Sequence, residues 1–189
     1  MKEGQEYIYF ASGASKDAVL AMPQMDLLKK KGYDVLVLVD SVDEFAIMML
    51  EEYDGVKFKS INQGDLDVLD EEEKKKIEEL KEVKKPLLDA LKDALNEEVE
   101  DVKLSERLVD SPVCLVSGDG ISFEMEKALS NNPNSSNLKA TRILEINPNH
   151  ELFIAIEKVY ETSPETLKQY AKLLLKMGVN YEQYSSSWK

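Results

Sequence analysis

Between about residues 62 and 85 the chain changes character: Asp, Glu and Lys dominate, and apolar anchors are few until Ile77, Leu80 and Val83. A stretch of that composition has little to bury, so it predicts a boundary between two folding units. Before it, residues 6 to 12 are rich in Tyr, Ile and Phe and stop at Ser12-Gly13, as a strand ending in a turn does. Ser15 is placed to cap a helix carrying Val19, Leu20, Met22, Leu27 and Leu28, broken or kinked at Pro23 and stopped by Lys29-Lys30-Lys31-Gly32. Tyr33 to Val39 is a nearly continuous apolar run with three valines, which predicts a strand buried on both faces of a parallel sheet. Asp40-Ser41 would cap a second helix, Val42 to Tyr53, and Phe58 to Ile61 would add a short strand, giving a small βαβα unit over about 1–66.

After the boundary Pro86 is expected to interrupt the chain, and Leu87, Leu88, Leu91 and Leu95 then fall at helical spacing. Val99 to Leu108, Val113 to Val116 and Arg142 to Ile146 read as strands, and Ser122 to Leu129, Leu152 to Tyr160 and Pro164 to Met177 as helices, the last with Ser163 before its first-position proline. Asn131 to Asn137 reads as a mobile polar loop. The expected fold is α/β followed by α+β, with the second unit over about 72–189 and helices at its end.

With 189 residues, 43% of them hydrophobic, the chain can bury a core without disulfides. A net charge of −13 argues against nucleic acid or an anionic membrane as partner, since both need a cationic surface. No apolar run approaches the roughly 18 residues of a membrane span, and the expectation is a soluble, cytoplasmic protein. Cys114, within the apolar run Val113 to Val116, is expected to be a small buried residue. His150 is read as a turn or capping residue, and no serine or cysteine is placed beside it for nucleophilic catalysis. Asp65, Asp67, Asp70 and Glu71 to Glu73 lack the glycine and closing carboxylate of a calcium loop. The turns Ser12-Gly13-Ala14-Ser15 and Gly118-Asp119-Gly120 lack the further glycines or the lysine of phosphate-binding loops, which leaves phosphate binding as an alternative resting on the turn before a helix.

Two apolar sets stand out. Phe45-Ala46-Ile47-Met48-Met49-Leu50 is apolar around more of a helix than one buried stripe requires. Ile121, Met125 and Leu129 repeat every fourth residue, with Phe123 on another side. Each set serves either as core or as an adaptable partner-binding surface, for which methionine is well suited.

Four blocks occur in fixed order: Glu3 to Gly13; Gly32-Tyr33-Asp34-Val35-Leu36 running into Asp43-Glu44-Phe45; Arg107 to Pro112; and Leu144 to His150. Together they resemble the ninety-kilodalton heat-shock chaperone family, most of all its bacterial HtpG-type members, over about residues 2 to 176. The resemblance implies the end of the family's middle domain over 1–66 and its C-terminal dimerisation domain over 72–189. The ATP and magnesium of the full-length family would then be bound elsewhere, leaving no cofactor and no catalytic residue in this fragment. It also implies contact with non-native client proteins at Glu44, Phe45 and Met48 and at Ile121, Met125 and Leu129. The family often has Trp at the Phe45 position and Met or Trp at the Ile121 position. Homodimerisation would run through the C-terminal helices, at Leu167, Tyr170 and Leu174, and co-chaperones are further possible partners. The last segment, Gly178 to Lys189, lacks the apolar stripe of the family's final helix. A purely structural assembly module is the remaining alternative.

Overall fold

The computed structural model describes residues 1–2, 4–40, 42–130 and 138–184, with backbone alone at 97 and 181–184. Glu3, Ser41, residues 131–137, where a polar loop is expected, and residues 185–189 therefore lie outside the described residues. The described chain carries two mixed sheets and seven α-helices.

In the first sheet β1 (Ile8–Ser12) is flanked by β2 (Val35–Leu38) and β4 (Val56–Ser60), both parallel to it, and β3 (Glu52–Tyr53) pairs antiparallel with β4. Helices α1 (Lys16–Leu20) and α2 (Asp26–Lys31) connect β1 to β2, separated by a 3-10 turn at Pro23–Met25. Ser15 caps α1 by accepting the Ala18 amide, and Gly32 ends α2 in the left-handed conformation at φ 66°. Tyr9, Ala11, Val19, Met25, Leu28 and Ile61 lie in the core of this body.

Two expectations are corrected here. The Tyr33 to Val39 run is not buried on both faces: β2 is an edge strand, and Leu36 is 44% exposed. The helix expected to reach Tyr53 is α3 (Asp43–Leu50), because Asp54-Gly55 forms the two-residue turn of a β3–β4 hairpin, both residues having positive φ.

The expected break at Pro86 is absent. Helix α4 (Glu71–Leu95) runs through it unbroken, opened by a capping box in which Asp70 and Glu73 exchange side-chain and backbone bonds. Pro86 and Glu82 both face solvent, so water can serve the carbonyl that loses its amide partner. Leu87, Leu88, Leu91 and Leu95 meanwhile anchor the helix in the second core.

The second sheet has the order β5 (Asp101–Leu104), β7 (Arg142–Ile146), β6 (Val113–Ser117), with β7 parallel to β5 and antiparallel to β6. Helices α4, α6 (Glu151–Thr162) and α7 (Pro164–Tyr184) cover one face. Helix α5 (Phe123–Ser130) follows β6, with Ser122 accepting the Met125 amide.

Helix α7 continues seven residues past Met177, where sequence pattern suggested a stop. A Cβ on Gly178 would lie 3.0 Å from Leu115 Cγ and 3.4 Å from Leu144 Cδ1, so this glycine lets the helix lie close on the sheet. Gly178→Ala is expected to stay within about 1 kcal/mol of wild type, because a helix-propensity gain of that size offsets the tight contact. Gly178→Val, with two more methyls aimed at the same leucines, should cost about 1–3 kcal/mol in urea denaturation.

Candidate functional site

The two bodies meet through a polar seam. Residues 62–64, a strap leaving the first body, lie along the outer edge of β6: Ser117 donates its amide to the Asn62 carbonyl at 2.9 Å, and Gly64 donates to the Ser117 carbonyl at 3.1 Å. Gln63 Nε2 donates to the carbonyls of Gly118 and Gly120, each at 3.0 Å. Farther along the same edge Gln24 Nε2 donates to the Leu115 carbonyl at 2.8 Å. The sheet edge that would otherwise be open is thereby closed by the first body.

Arg107 stands at the centre of this seam, only 1% exposed. Its Nε and Nη2 grip both oxygens of Glu145, at 3.0 and 2.9 Å. Nη1 reaches the Ile61 carbonyl at 2.6 Å, and Nη2 also bonds the Gly64 carbonyl. Burial works against the charged guanidinium, but the carboxylate of Glu145 and its hydrogen bonds more than offset it, and the pKa lies above the ordinary arginine value. Ser105 Oγ donates to Glu145 Oε2 at 2.8 Å, and Cys114 is buried beside the same oxygen, as expected for a small core residue.

Two of the sequence blocks thus acquire physical roles. Asn147 Nδ2 holds the carbonyls of Val109 and Ser111 at 2.9 and 3.1 Å, fixing the turn after Arg107, and His150 Nδ1 accepts the Leu152 amide as the cap of α6. The Asp26 carboxyl meets the backbone at Asp110 and Ser111, and its pKa is raised because burial outweighs those bonds.

A second tie joins the apolar sets. Glu44, buried in the first turn of α3, accepts a hydrogen bond from Ser122 Oγ, the same hydroxyl that caps α5. The structure therefore brings the starts of these two helices together. On α3, Phe45 is half-buried, whereas Met48 is 56% and Met49 88% exposed, with Leu50 and Val42 exposed beside them. On α5 the expected set divides: Met125 and Phe123 are buried, while Ile121 and Leu129 are half-buried. Ile121 packs against the second core.

Of the residues assigned to dimerisation, Leu167 and Leu174 lie inside the second core, and half-buried Tyr170 packs against it. Among the described residues, the large apolar side chains most exposed on the terminal helices are Ile154 and Leu173. At the weaker candidates, Asp67 pairs with Lys59, Asp70 is committed to its capping box, and the Ser15 hydroxyl of the Ser12 to Ser15 turn is committed to capping α1. Among the described residues no three His, Cys, Asp or Glu side chains are grouped to hold a metal ion, and no helix is long and apolar enough to cross a membrane.

Arg107 and Glu145 stand in two of the blocks that carry the family resemblance, but neither was assigned a role in a site from sequence. The available signal was Glu145 standing between Leu144 and Ile146 in an otherwise apolar strand.

The family model for Hsp90 protein matches residues 1–184. The chain is 40% identical over 182 residues to the chaperone protein HtpG of Bacillus subtilis strain 168, covering 96% of this chain and 29% of that protein. It is 44% identical over 176 residues to the HtpG of Clostridium acetobutylicum, covering 92% and 28%, and 42% identical over 185 residues to that of Clostridium perfringens strain 13, covering 98% and 29%. The chain thus spans less than a third of the length of these relatives. A match running through both bodies, together with 40–44% identity to bacterial HtpG, shows that this chain belongs to the Hsp90 family.

Proposed function

We propose that this chain acts as the client-contact and dimerisation part of an HtpG-type, ATP-dependent chaperone. The first body corresponds to the end of the middle domain, over 1–66, and the second to the C-terminal domain, over 72–189. Its partners are non-native proteins, a second copy of itself and co-chaperones, and it works in the cytoplasm. It binds no cofactor and hydrolyses no ATP by itself; ATP and magnesium act in another part of the longer chaperone.

The observation that carries this reading is the methionine ridge of α3, Met48 and Met49 exposed beside Leu50, on a helix tied by Glu44 to the start of α5. An unbranched thioether adapts to apolar surfaces of many shapes. Acidic surroundings at a net charge of −13 keep such a ridge from driving self-aggregation. Burying one methionine fully is worth roughly 1.5–3 kcal/mol, so half of that from each of two residues amounts to about tenfold or more in affinity.

The test is the light scattering of a heat-denatured enzyme in the presence of the chain. Met48→Ser/Met49→Ser should raise the concentration needed for half-suppression about tenfold. Val83→Ser, which removes an exposed apolar residue from α4, should leave it unchanged. Equal suppression by wild type and the double variant would remove the ridge from the reading.

A further inference from the structure

The two hydrophobic cores have no residue in common: Ile61, Leu66 and Val68 close the first, while Leu88, Leu115, Leu144 and Phe153 belong to the second. The seam between them holds many hydrogen bonds, namely backbone bonds along the strap, the Gln63 bonds at its rim and the buried bond from Gln24, and a small third apolar cluster, Leu108, Cys114 and Val116, lies beside it. The Gln63 bonds at the rim are individually modest, because water can replace them. Arg107 differs from them. It is rooted in the second body by a two-pronged bond to Glu145, and from there it reaches two backbone carbonyls of the first, at Ile61 and Gly64. Bonds from a buried guanidinium are charge-assisted, and breaking them strands the donors away from water. Beyond the grip, Leu66 and Val68 still belong to the first core, and the only residues between Val68 and the start of α4 at Glu71 are Leu69 and Asp70.

We propose that Arg107 is a latch that makes the two bodies one rigid unit, and that its withdrawal lets the first body swing about residues 69–70 with both cores intact. The spacing between the α3 and α5 sets, which the Glu44–Ser122 bond joins directly, is then also governed by a residue in neither of them. This inference concerns rigidity alone and holds or fails independently of client binding.

The experiment uses the full chain, spin-labelled at Asp17→Cys and Lys158→Cys, two exposed positions in different bodies. The wild-type background should give one narrow distance distribution. Arg107→Met/Glu145→Met removes the latch while replacing the buried ion pair with apolar side chains, an exchange that buried pairs often tolerate. It should broaden the distribution, speed amide exchange at Gly64 and Ser117 at least about tenfold, and leave exchange in β1 and β7 unchanged. A narrow distribution with unchanged exchange overturns the latch. If that variant fails to fold, Arg107→Lys decides: one ammonium can pair with Glu145 but cannot span both carbonyls. A broadened distribution in that variant supports the latch, and a narrow one overturns it.

Discussion

Glu145→Leu is expected to cost about 3–5 kcal/mol of unfolding free energy, among the largest losses of any single substitution in this chain. The carboxylate accepts from Arg107 Nε, Arg107 Nη2 and Ser105 Oγ. Removing it leaves a guanidinium with positive charge and unfilled donors in a place water does not reach. The loss reflects that stranded charge and is no measure of the pair's net worth, which is why replacing both partners by methionine should cost far less. The pairs on the exposed face of α4 set the opposite limit. Lys76–Glu72 and Lys74–Glu71 span one helical turn in solvent, and deleting either should move stability by a few tenths of a kcal/mol at most. Urea denaturation of Glu145→Leu and Glu72→Gln side by side measures the contrast. Comparable losses for the two would mean that burial does not decide what an ion pair contributes here.

Where the pattern was local, the sequence could be read with little error. Ser15, Pro23 and Gly32 act within a few residues of themselves, and each takes its expected part in capping, interrupting or ending a helix. His150 likewise caps α6. The misreadings came from two sources. One was a turn signal outweighed by an apolar run: Asp54-Gly55 is strong hairpin chemistry, yet the helix that precedes it was carried through to Tyr53. The other was propensity overridden by packing. Pro86 and Gly178 look like helix breakers, but one sits on a solvent face and the other lies against Leu115 and Leu144, where even a methyl is a tight fit. Composition also cannot tell an edge strand from a central one, as β2 illustrates. The buried seam was legible least of all. Arg107 and Glu145 are 38 residues apart on separate segments, and only the sheet pairing that sets β7 beside β6 brings the carboxylate under the strap.

Leu174→Ala and Leu173→Ser, neighbours in sequence, are expected to act on different properties. Leu174 is 1% exposed and packs with Leu167 and Ala171 in the core beneath α7. Truncating it removes buried apolar contacts and leaves a cavity, so it should cost about 2–5 kcal/mol at any protein concentration. Leu173 points outward and is 50% exposed, so Leu173→Ser should change the stability of the isolated chain by no more than about 0.5 kcal/mol. On the dimerisation reading, Leu173 together with Ile154 on α6 is the apolar surface that a second copy would cover. Leu173→Ser should then weaken self-association about tenfold or more in sedimentation equilibrium, a change of roughly 1.4 kcal/mol. Leu174→Ala, assayed where it remains folded, should associate nearly as well as wild type, because its side chain already has a full set of partners within its own chain. The reverse pattern, association lost with Leu174→Ala and kept with Leu173→Ser, would require α7 to turn its buried face outward in the dimer. That would mean exchanging the helix between copies, because the face that packs on β6 cannot serve both bodies at once.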